Sequence, residues 1–166
     1  MRLLVGIGGA SCSGKSTLCK RLSGLFPNAR RILSQDAFFR PDSEIPLSRD
    51  SEGCETKDWD SPRAIDFDAF VHTLLDMKHY CQGHGETENL SGEEAEERNP
   101  RLHELIQSHK DILHSVEIIW VDGFLLYDNP KVIEALNLCL FLKGTFLHVN
   151  TRLFFLITVS IKSSIV

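Results

Sequence analysis

The chain has 166 residues, of which 42% are hydrophobic and 25% charged, and its formal net charge is -5. This length suits one domain with a sizeable buried core, and the composition is ordinary for a globular protein. The net negative charge argues against nucleic acid as the main partner. Five cysteines, an odd number without a C-x-x-C pair, favour a reducing compartment, so we expect a cytoplasmic protein.

Apolar runs alternate with helical patterns along most of the chain. The predicted strands are residues 3–7, 31–34, 116–121 and 138–142. The predicted helices are residues 15–26, a segment capped by Asp66, residues 101–113 and residues 130–136. Strands that alternate with helices indicate a parallel sheet covered by helices on both faces. We therefore predict an α/β fold with three layers.

Three segments depart from this alternation. Residues 35–62 are predicted to form a long polar loop, and loops of this length are usually functional or disordered. Residues 82–99 are rich in Gly and Glu, which predicts a mobile insertion into a domain of residues 1–142. Residues 143–166 form an apolar tail, which we expect to be either a strand or a disordered end that is foreign to the preceding domain. Its apolar stretch is too short to span a bilayer, so we expect no membrane partner.

A phosphate-binding motif lies between the first predicted strand and the first predicted helix. The sequence GASCSGKS fits G-x-x-x-x-G-K-[ST] at every fixed position, in the context expected for a P-loop rather than for a turn that binds nothing. Such a loop points its backbone N–H groups at phosphates, its lysine reaches the β- and γ-phosphates, and its serine binds Mg²⁺. The predicted nucleotide-binding residues are Gly9, Ala10, Ser11, Cys12, Ser13, Gly14, Lys15, Ser16 and Thr17, with Lys15 also catalytic and Ser16 also a metal ligand.

Two acidic residues follow predicted strands. Asp122 ends the apolar run IIWVD, as in Walker B segments, and is predicted to hold the Mg²⁺ shell through water; the alternative is a cap of the next turn. Asp36 follows the second strand. It is predicted to orient the acceptor hydroxyl, accept its proton and bind Mg²⁺, or else to cap a turn. The absence of an N-K-x-D signature argues against a GTPase switch.

Four segments together resemble a known family. They are GASCSGKST, SQDAFFRPDSEIP, DWDSPRAIDF and IIWVDGFLLYDN, and their order and spacing are similar to those of nicotinamide riboside kinases, within the uridine kinase-like group of P-loop kinases. The resemblance covers about residues 3–142. It implies the P-loop NTPase fold, with Mg²⁺ and with ATP, or GTP, as phosphate donor. It also implies phosphorylation of the 5′-hydroxyl of nicotinamide riboside, or of nicotinic acid riboside, in NAD synthesis.

The resemblance also implies roles for residues of the long loop. Phe39 and Trp59 look like the aromatic pair that holds the nicotinamide ring, and Asp60 looks like the carboxylate that binds the ribose hydroxyls. Of the adjacent Phe38 and Phe39, one is expected in the core and the other at the site, and both are candidate substrate contacts. A cationic pyridinium ring is attracted by a Trp face. The alternative is that Trp59 only anchors the loop to the core.

The chain departs from the family at two places. Ala37 stands where many relatives carry a second Asp, and we expect little loss because Asp36 is retained. After residue 142 the family continues with an Arg-rich lid, whereas here Arg152 is the only arginine after Arg101. We therefore expect nucleotide binding with weak or absent turnover, and poor solubility. Two other functions stay open: a uridine/cytidine kinase, and a non-catalytic nucleotide-binding protein.

Overall fold

The computed structural model describes residues 1–26, 28, 31–49, 51–79, 100–145 and 154–161. The strands are β1 (Arg2–Gly9), β2 (Arg31–Ser34), β3 (Leu47–Arg49), β4 (Glu55–Lys57), β5 (Glu117–Gly123), β6 (Leu138–Thr145) and β7 (Phe154–Ile161). The helices are α1 (Lys15–Leu25), α2 (Phe67–His79), α3 (Pro100–Ser108), α4 (Lys110–Ser115) and α5 (Pro130–Ala135). None of the helices in these ranges combines the length and the apolar character that crossing a membrane requires.

A five-stranded sheet of order β2–β5–β1–β6–β7 lies at the centre. β2, β5, β1 and β6 are parallel, which confirms the predicted parallel sheet for the four strands expected from the sequence. β7 pairs antiparallel with β6. Only residues 146–153 separate these two strands, fewer than the roughly dozen residues that a parallel crossover requires, so the chain returns antiparallel.

The two faces of the sheet carry separate hydrophobic clusters. Successive residues of β5 alternate between them, because side chains along a strand point to opposite faces. One cluster, beneath α2 and α5, contains Leu4, Phe70, Leu74, Ile119, Val121 and Val132. The other, beneath α1, contains Val5, Ile7, Cys19, Ile118 and Trp120. Helices on both faces of one sheet give the three-layer α/β fold that the sequence predicts.

Two predicted elements differ from the structure. The helix predicted at residues 101–113 is divided into α3 and α4 at His109, where φ is -116° and ψ is 17°. The Ser108 hydroxyl donates to the Leu105 carbonyl at 2.9 Å, which gives the end of α3 a local hydrogen bond. The long loop of residues 35–62 contains two 3₁₀ turns and the β3–β4 hairpin. The hairpin strands are exposed on both faces, so they lack the alternating pattern that reveals a strand.

Two boundaries predicted from the sequence stay predictions. The insertion expected at residues 82–99 lies outside the described residues, as do residues 146–153 and 162–166 of the tail. β6 continues past residue 142 to Thr145 and pairs there with β7. The sheet therefore runs without interruption across the boundary at which we expect the kinase domain to end.

Tyr127 fills a groove that two glycines leave on β1. Gly6 and Gly8 share one face of the strand, and a Cβ atom at Gly8 would lie 2.4 Å from the Tyr127 ring. The Tyr127 hydroxyl lies 2.9 Å from the Gly6 carbonyl oxygen and 2.7 Å from the Leu140 carbonyl oxygen. Burial raises the pKa of Tyr127, so its hydroxyl remains a donor at neutral pH. The side chain thus joins β1 to β6 just before the P-loop begins.

Replacing Tyr127 with Phe tests this link. The variant keeps the ring in the groove but removes the donor from two partly buried carbonyls, so we expect the free energy of unfolding to fall by about 0.5–1.5 kcal/mol in urea titrations. Gly8→Ala is the steric comparison, because its Cβ would overlap the ring, and we expect a loss of about 1–3 kcal/mol. An unchanged unfolding midpoint for Tyr127→Phe would show that the hydroxyl contributes no net stability.

Candidate active site

The chain turns sharply between β1 and α1. Cys12 has a φ of 59° and Gly14 a φ of 87°, both in the left-handed region, and the Ser13 amide donates to the Ala10 carbonyl at 3.2 Å. Gly14 adopts this backbone without strain because it lacks a Cβ atom, and it caps the N-terminus of α1. A turn of this kind, at the positive end of a helix dipole, forms a concave cradle of N–H groups that suits an anion.

Two side chains of this loop have defined partners. The Lys15 ammonium donates to the Ala10 carbonyl at 2.7 Å, so the lysine side chain folds back over the loop. The Ser16 hydroxyl donates to Asp122 Oδ2 at 2.5 Å, which ties the start of α1 to the end of β5. The P-loop and the Walker B-like acid, about a hundred residues apart in sequence, are therefore in direct contact.

A cleft of about 440 Å³ opens above this contact, a size usual for small-molecule sites. It is lined by Ser11, Cys12, Gly14, Lys15, Ser16, Thr17, Asp36, Asp122, Gly123 and Phe124. The structure thus brings together most of the predicted P-loop residues and all three predicted metal ligands. These ligands are Ser16, Asp36 and Asp122.

Asp122 has a buried oxygen atom that a cation in this cleft would satisfy. Its side chain is 2% exposed, and Oδ1 has no hydrogen-bond partner among the described residues. A buried carboxylate oxygen without a partner is costly unless a donor or a cation accompanies it. Oxygen atoms from Ser16, Asp36 and Asp122 form a hard donor set, which fits Mg²⁺. In the described ranges no group of three or more His, Cys, Asp or Glu residues could hold a metal alone. Mg²⁺ usually takes one or two carboxylates together with phosphates and water.

Cys19 lies in the core beneath the loop and does not line the cleft. Its side chain is fully buried, and burial, with a smaller contribution from the Asp122 charge, raises the pKa of its thiol to about 12. A thiol in this state remains neutral near pH 7. Because the thiolate is the nucleophilic form, we interpret Cys19 as a packing residue.

A row of three aromatic rings leads from the cleft to the surface. Phe39 lies at its centre, with its ring centroid 5.9 Å from that of Phe124 and 5.5 Å from that of Trp59. Phe124 lines the cleft, and Trp59 is 42% exposed. Phe38 points elsewhere and packs on Phe70 in the core, with ring centroids 5.0 Å apart. Of the two adjacent phenylalanines, the structure therefore brings Phe39 towards the cleft and Phe38 into the core.

Backbone hydrogen bonds hold this row in place. The Arg40 amide donates to the Ala64 carbonyl and the Asp66 amide to the Phe38 carbonyl, both at 2.8 Å, so Phe39 is fixed between two bonds. Trp59 and Asp60 are the central residues of a turn after β4, and both are exposed. The structure therefore brings Trp59 against Phe39 and leaves the next residue in sequence, Asp60, exposed to solvent.

Sequence reasoning missed two residues of the site. Phe124 follows Asp122 and Gly123 directly, and its position in the loop after a Walker B-like strand was the only available signal. Gln35 precedes Asp36 and is completely buried, and its Oε1 accepts a hydrogen bond from the Leu125 amide at 3.0 Å. A polar residue beside a stronger candidate such as Asp36 gives no sequence signal of burial, so only the structure reveals this contact.

Comparison with known proteins agrees with this geometry. The model of the phosphoribulokinase/uridine kinase family matches residues 4–150. A nicotinamide riboside kinase of Schizosaccharomyces pombe is 32% identical over 153 residues, which cover 87% of this chain and 62% of that protein. Nicotinamide riboside kinase 2 of Homo sapiens is 28% identical over 138 residues, covering 81% and 49%. A uridine kinase of Clostridium botulinum is 29% identical over 137 residues, covering 82% and 59%.

The chain spans only part of the length of these curated relatives. The matched segments cover 62%, 61% and 62% of three fungal nicotinamide riboside kinases. The similarity extends over the P-loop, the loop with Asp36 and the β5 segment, all of which lie within the matched part of the chain. The similarity therefore includes the segments that form the described cleft.

Lys15→Met tests the phosphate cradle. The variant removes the positive charge at the cleft and only one exposed hydrogen bond, so we expect the Kd for ATP to rise at least tenfold, about 1.4 kcal/mol, with little change in stability. Isothermal titration calorimetry with Mg²⁺ and ATP measures the effect. Lys20→Met is the matched control, because it makes the same charge change on an exposed position of α1 that does not line the cleft. Equal losses in both variants would contradict a specific phosphate contact.

Proposed function

The chain belongs to the phosphoribulokinase/uridine kinase family, and on that basis we propose that it is an ATP-dependent nicotinamide riboside kinase. The reaction transfers the γ-phosphoryl group of ATP to the 5′-hydroxyl of the riboside and gives nicotinamide mononucleotide for NAD synthesis. Nicotinic acid riboside is to be compared with nicotinamide riboside as acceptor, and GTP with ATP as donor. We also propose a cytoplasmic location, supported by the odd number of cysteines and the lack of a C-x-x-C pair in the sequence.

The phosphate half of the site supports ATP as donor. The N–H groups of the P-loop would bind the β- and γ-phosphates, and Lys15 would leave the Ala10 carbonyl to reach them. Bound Mg²⁺ would supply positive charge that neutralises the phosphates during transfer. Ser16, Asp36 and Asp122 are the residues that would hold it. Ser16 and Asp122 already share a hydrogen bond, so this part of the site is pre-organised.

Asp36 is the residue we propose as general base. It is exposed, lies in the 3₁₀ turn after β2 and lines the same cleft as Lys15. A carboxylate in this position can accept the proton of the 5′-hydroxyl as the new bond to the γ-phosphorus forms, while the bond from this phosphorus to the bridging oxygen breaks and ADP leaves. Orientation of the hydroxyl by the same carboxylate places the attacking oxygen for transfer.

The contact between Phe39 and Trp59 is the observation that carries the choice of acceptor. It sets an exposed indole at the end of an aromatic row that begins with Phe124, which lines the same cleft as Asp36. An exposed Trp face attracts a pyridinium cation by about 0.5–2 kcal/mol. Asp60, next to Trp59 in the same turn, offers acceptor sites for the two ribose hydroxyls and a negative charge near the cation. Phe38 is not one of the proposed riboside contacts, because it packs on Phe70.

A uridine/cytidine kinase is the second candidate, supported by the similarity to a uridine kinase. Its acceptor carries an uncharged base, which gains less from an indole face than a pyridinium cation does. The two candidates are separated by a phosphorylation assay of the chain with nicotinamide riboside, nicotinic acid riboside, uridine and no acceptor. Product from uridine alone would overturn our choice. Binding of ATP and riboside without product would favour the non-catalytic alternative.

Trp59→Ala tests the proposed ring contact. Loss of the indole face should raise the KM for nicotinamide riboside about 2- to 30-fold, the equivalent of 0.5–2 kcal/mol, and leave the KM for ATP unchanged. Trp59→Phe is the matched control, because it keeps an aromatic face and should lie between the wild type and the alanine variant. Steady-state kinetics with each substrate varied measures both constants. An equal rise in both KM values would show that Trp59 only anchors the loop.

A further inference from the structure

The two carboxylates of the cleft lie at the carboxyl ends of neighbouring strands: Asp122 is the penultimate residue of β5, and Asp36 lies in the turn that follows β2. Ser34 pairs with Asp122 in the last register position between β2 and β5. Beyond this pair, the first loop begins after β2 with Gln35 and Asp36, whereas β5 ends at Gly123 and the second loop begins with Phe124. The β2–β5 ladder therefore ends at the Ser34–Asp122 pair, two positions before Asp36, and the distance between the two carboxylates depends on contacts beyond the ladder.

The Gln35 side chain provides such a contact. It is completely buried and crosses Gly123, where an added Cβ atom would lie 2.5 Å from Gln35 Oε1 and 2.7 Å from Gln35 Cβ. Past Gly123, Oε1 accepts a hydrogen bond from the Leu125 amide at 3.0 Å. The absence of a side chain at Gly123 is therefore what lets Gln35 lie across the second loop and bond to its backbone.

Packing alone does not explain why a glutamine, rather than an apolar residue, occupies position 35. Its Nε2 group is buried and has no hydrogen-bond partner in the part of the chain that the structure describes. A buried amide with an unpaired donor costs free energy that Leu or Met, of similar size, would avoid. Only a side chain with an acceptor at this reach can bond the Leu125 amide. The feature that distinguishes Gln35 from an apolar residue is thus its bond to the second loop.

We propose that Gln35 is a positioning residue that locks the Asp36 turn to the loop after Asp122, with Gly123 as the site it crosses. This inference rests on the proposed kinase function, in which Asp36 and Asp122 act on one Mg²⁺–ATP complex. Gln35 itself touches neither nucleotide nor acceptor. It acts by fixing the distance between the two carboxylates before the ligands bind, and misplacement of such groups slows transfer more than it weakens binding.

Gln35→Met and Gly123→Ala test the lock from its two sides. The first keeps the volume and removes the acceptor, and the second forces the turn away from the loop. In both we expect kcat to fall roughly 10- to 100-fold, with the KM values for ATP and riboside within about twofold of the wild type. We also expect the Mg²⁺ affinity of the ATP complex to fall at least about fivefold while ATP binding without Mg²⁺ is unchanged. The Leu125 amide should exchange with solvent at least about tenfold faster.

Two further variants separate positioning from general loss of structure. Val132→Ala removes buried volume in the core beneath α5 and is the control for reduced stability. It should lower the melting temperature without changing Mg²⁺ affinity or the exchange of the Leu125 amide. The double variant Gln35→Met/Gly123→Ala should lose no more Mg²⁺ affinity than the worse single variant, because both changes break one contact.

The outcomes distinguish this inference from the proposed function. If the wild type phosphorylates no riboside, the proposed function fails, and the Mg²⁺ titration and the amide exchange still decide the role of Gln35. Unchanged Mg²⁺ affinity in both single variants overturns the lock. Losses that match those of Val132→Ala at the same melting temperature overturn it as well. Selective loss of Mg²⁺ affinity and of Leu125 protection supports it.

Discussion

The register of β5 between β2 and β1 is the constraint on which the site depends. Gly8 pairs with Gly123 on one side of β5, and Ser34 pairs with Asp122 on the other. Because all three strands are parallel, their carboxyl ends reach the same edge of the sheet and their loops open into one cleft. A slip of one residue would turn Asp122 from the cleft to the opposite face. The buried alternation of β5, which supports both hydrophobic clusters, therefore also fixes the position of the acid.

The acceptor side of the cleft rests on a second kind of constraint, the closure of a long loop. The chain leaves the sheet after Ser34, and the loop closes at Asp66, just before α2, where the Phe38 carbonyl accepts a hydrogen bond from the Asp66 amide. This closure needs no covalent link, and it brings Trp59 against Phe39 although twenty residues separate them. The exposed ion pair between Arg49 and Glu55 across the hairpin adds little stability, so the aromatic contact and the backbone bonds carry the arrangement.

The sequence was sufficient where the signal is local. The P-loop, the apolar run that ends at Asp122 and the cap at Asp66 each occupy a few consecutive residues, and the Ala69 amide indeed donates to Asp66 Oδ1. It was insufficient where a residue is defined by a distant partner. The burial of Gln35 depends on the space at Gly123, and no pattern within either segment records that contact. The sequence did not predict the β3–β4 hairpin, because its strands bury neither face and therefore show no alternation of apolar and polar residues.

Buried polar atoms without partners show where this fold has given up stability. Among the described residues they are Ser13 Oγ, Ser23 Oγ, Gln35 Nε2, Trp120 Nε1 and Asp122 Oδ1. Three of them lie close to the cleft in sequence: Ser13 is in the P-loop, Gln35 precedes Asp36, and Asp122 is near the end of β5. Each unpaired group costs on the order of 1–3 kcal/mol, which apolar side chains would not. A site that must hold phosphate and cation ligands needs its polar groups fixed before those ligands arrive. Most of this cost therefore falls on Asp122 at the cleft and on residues next to its lining, where pre-organisation would serve ligand binding, while the apolar clusters on the two faces of the sheet supply the stability that offsets it.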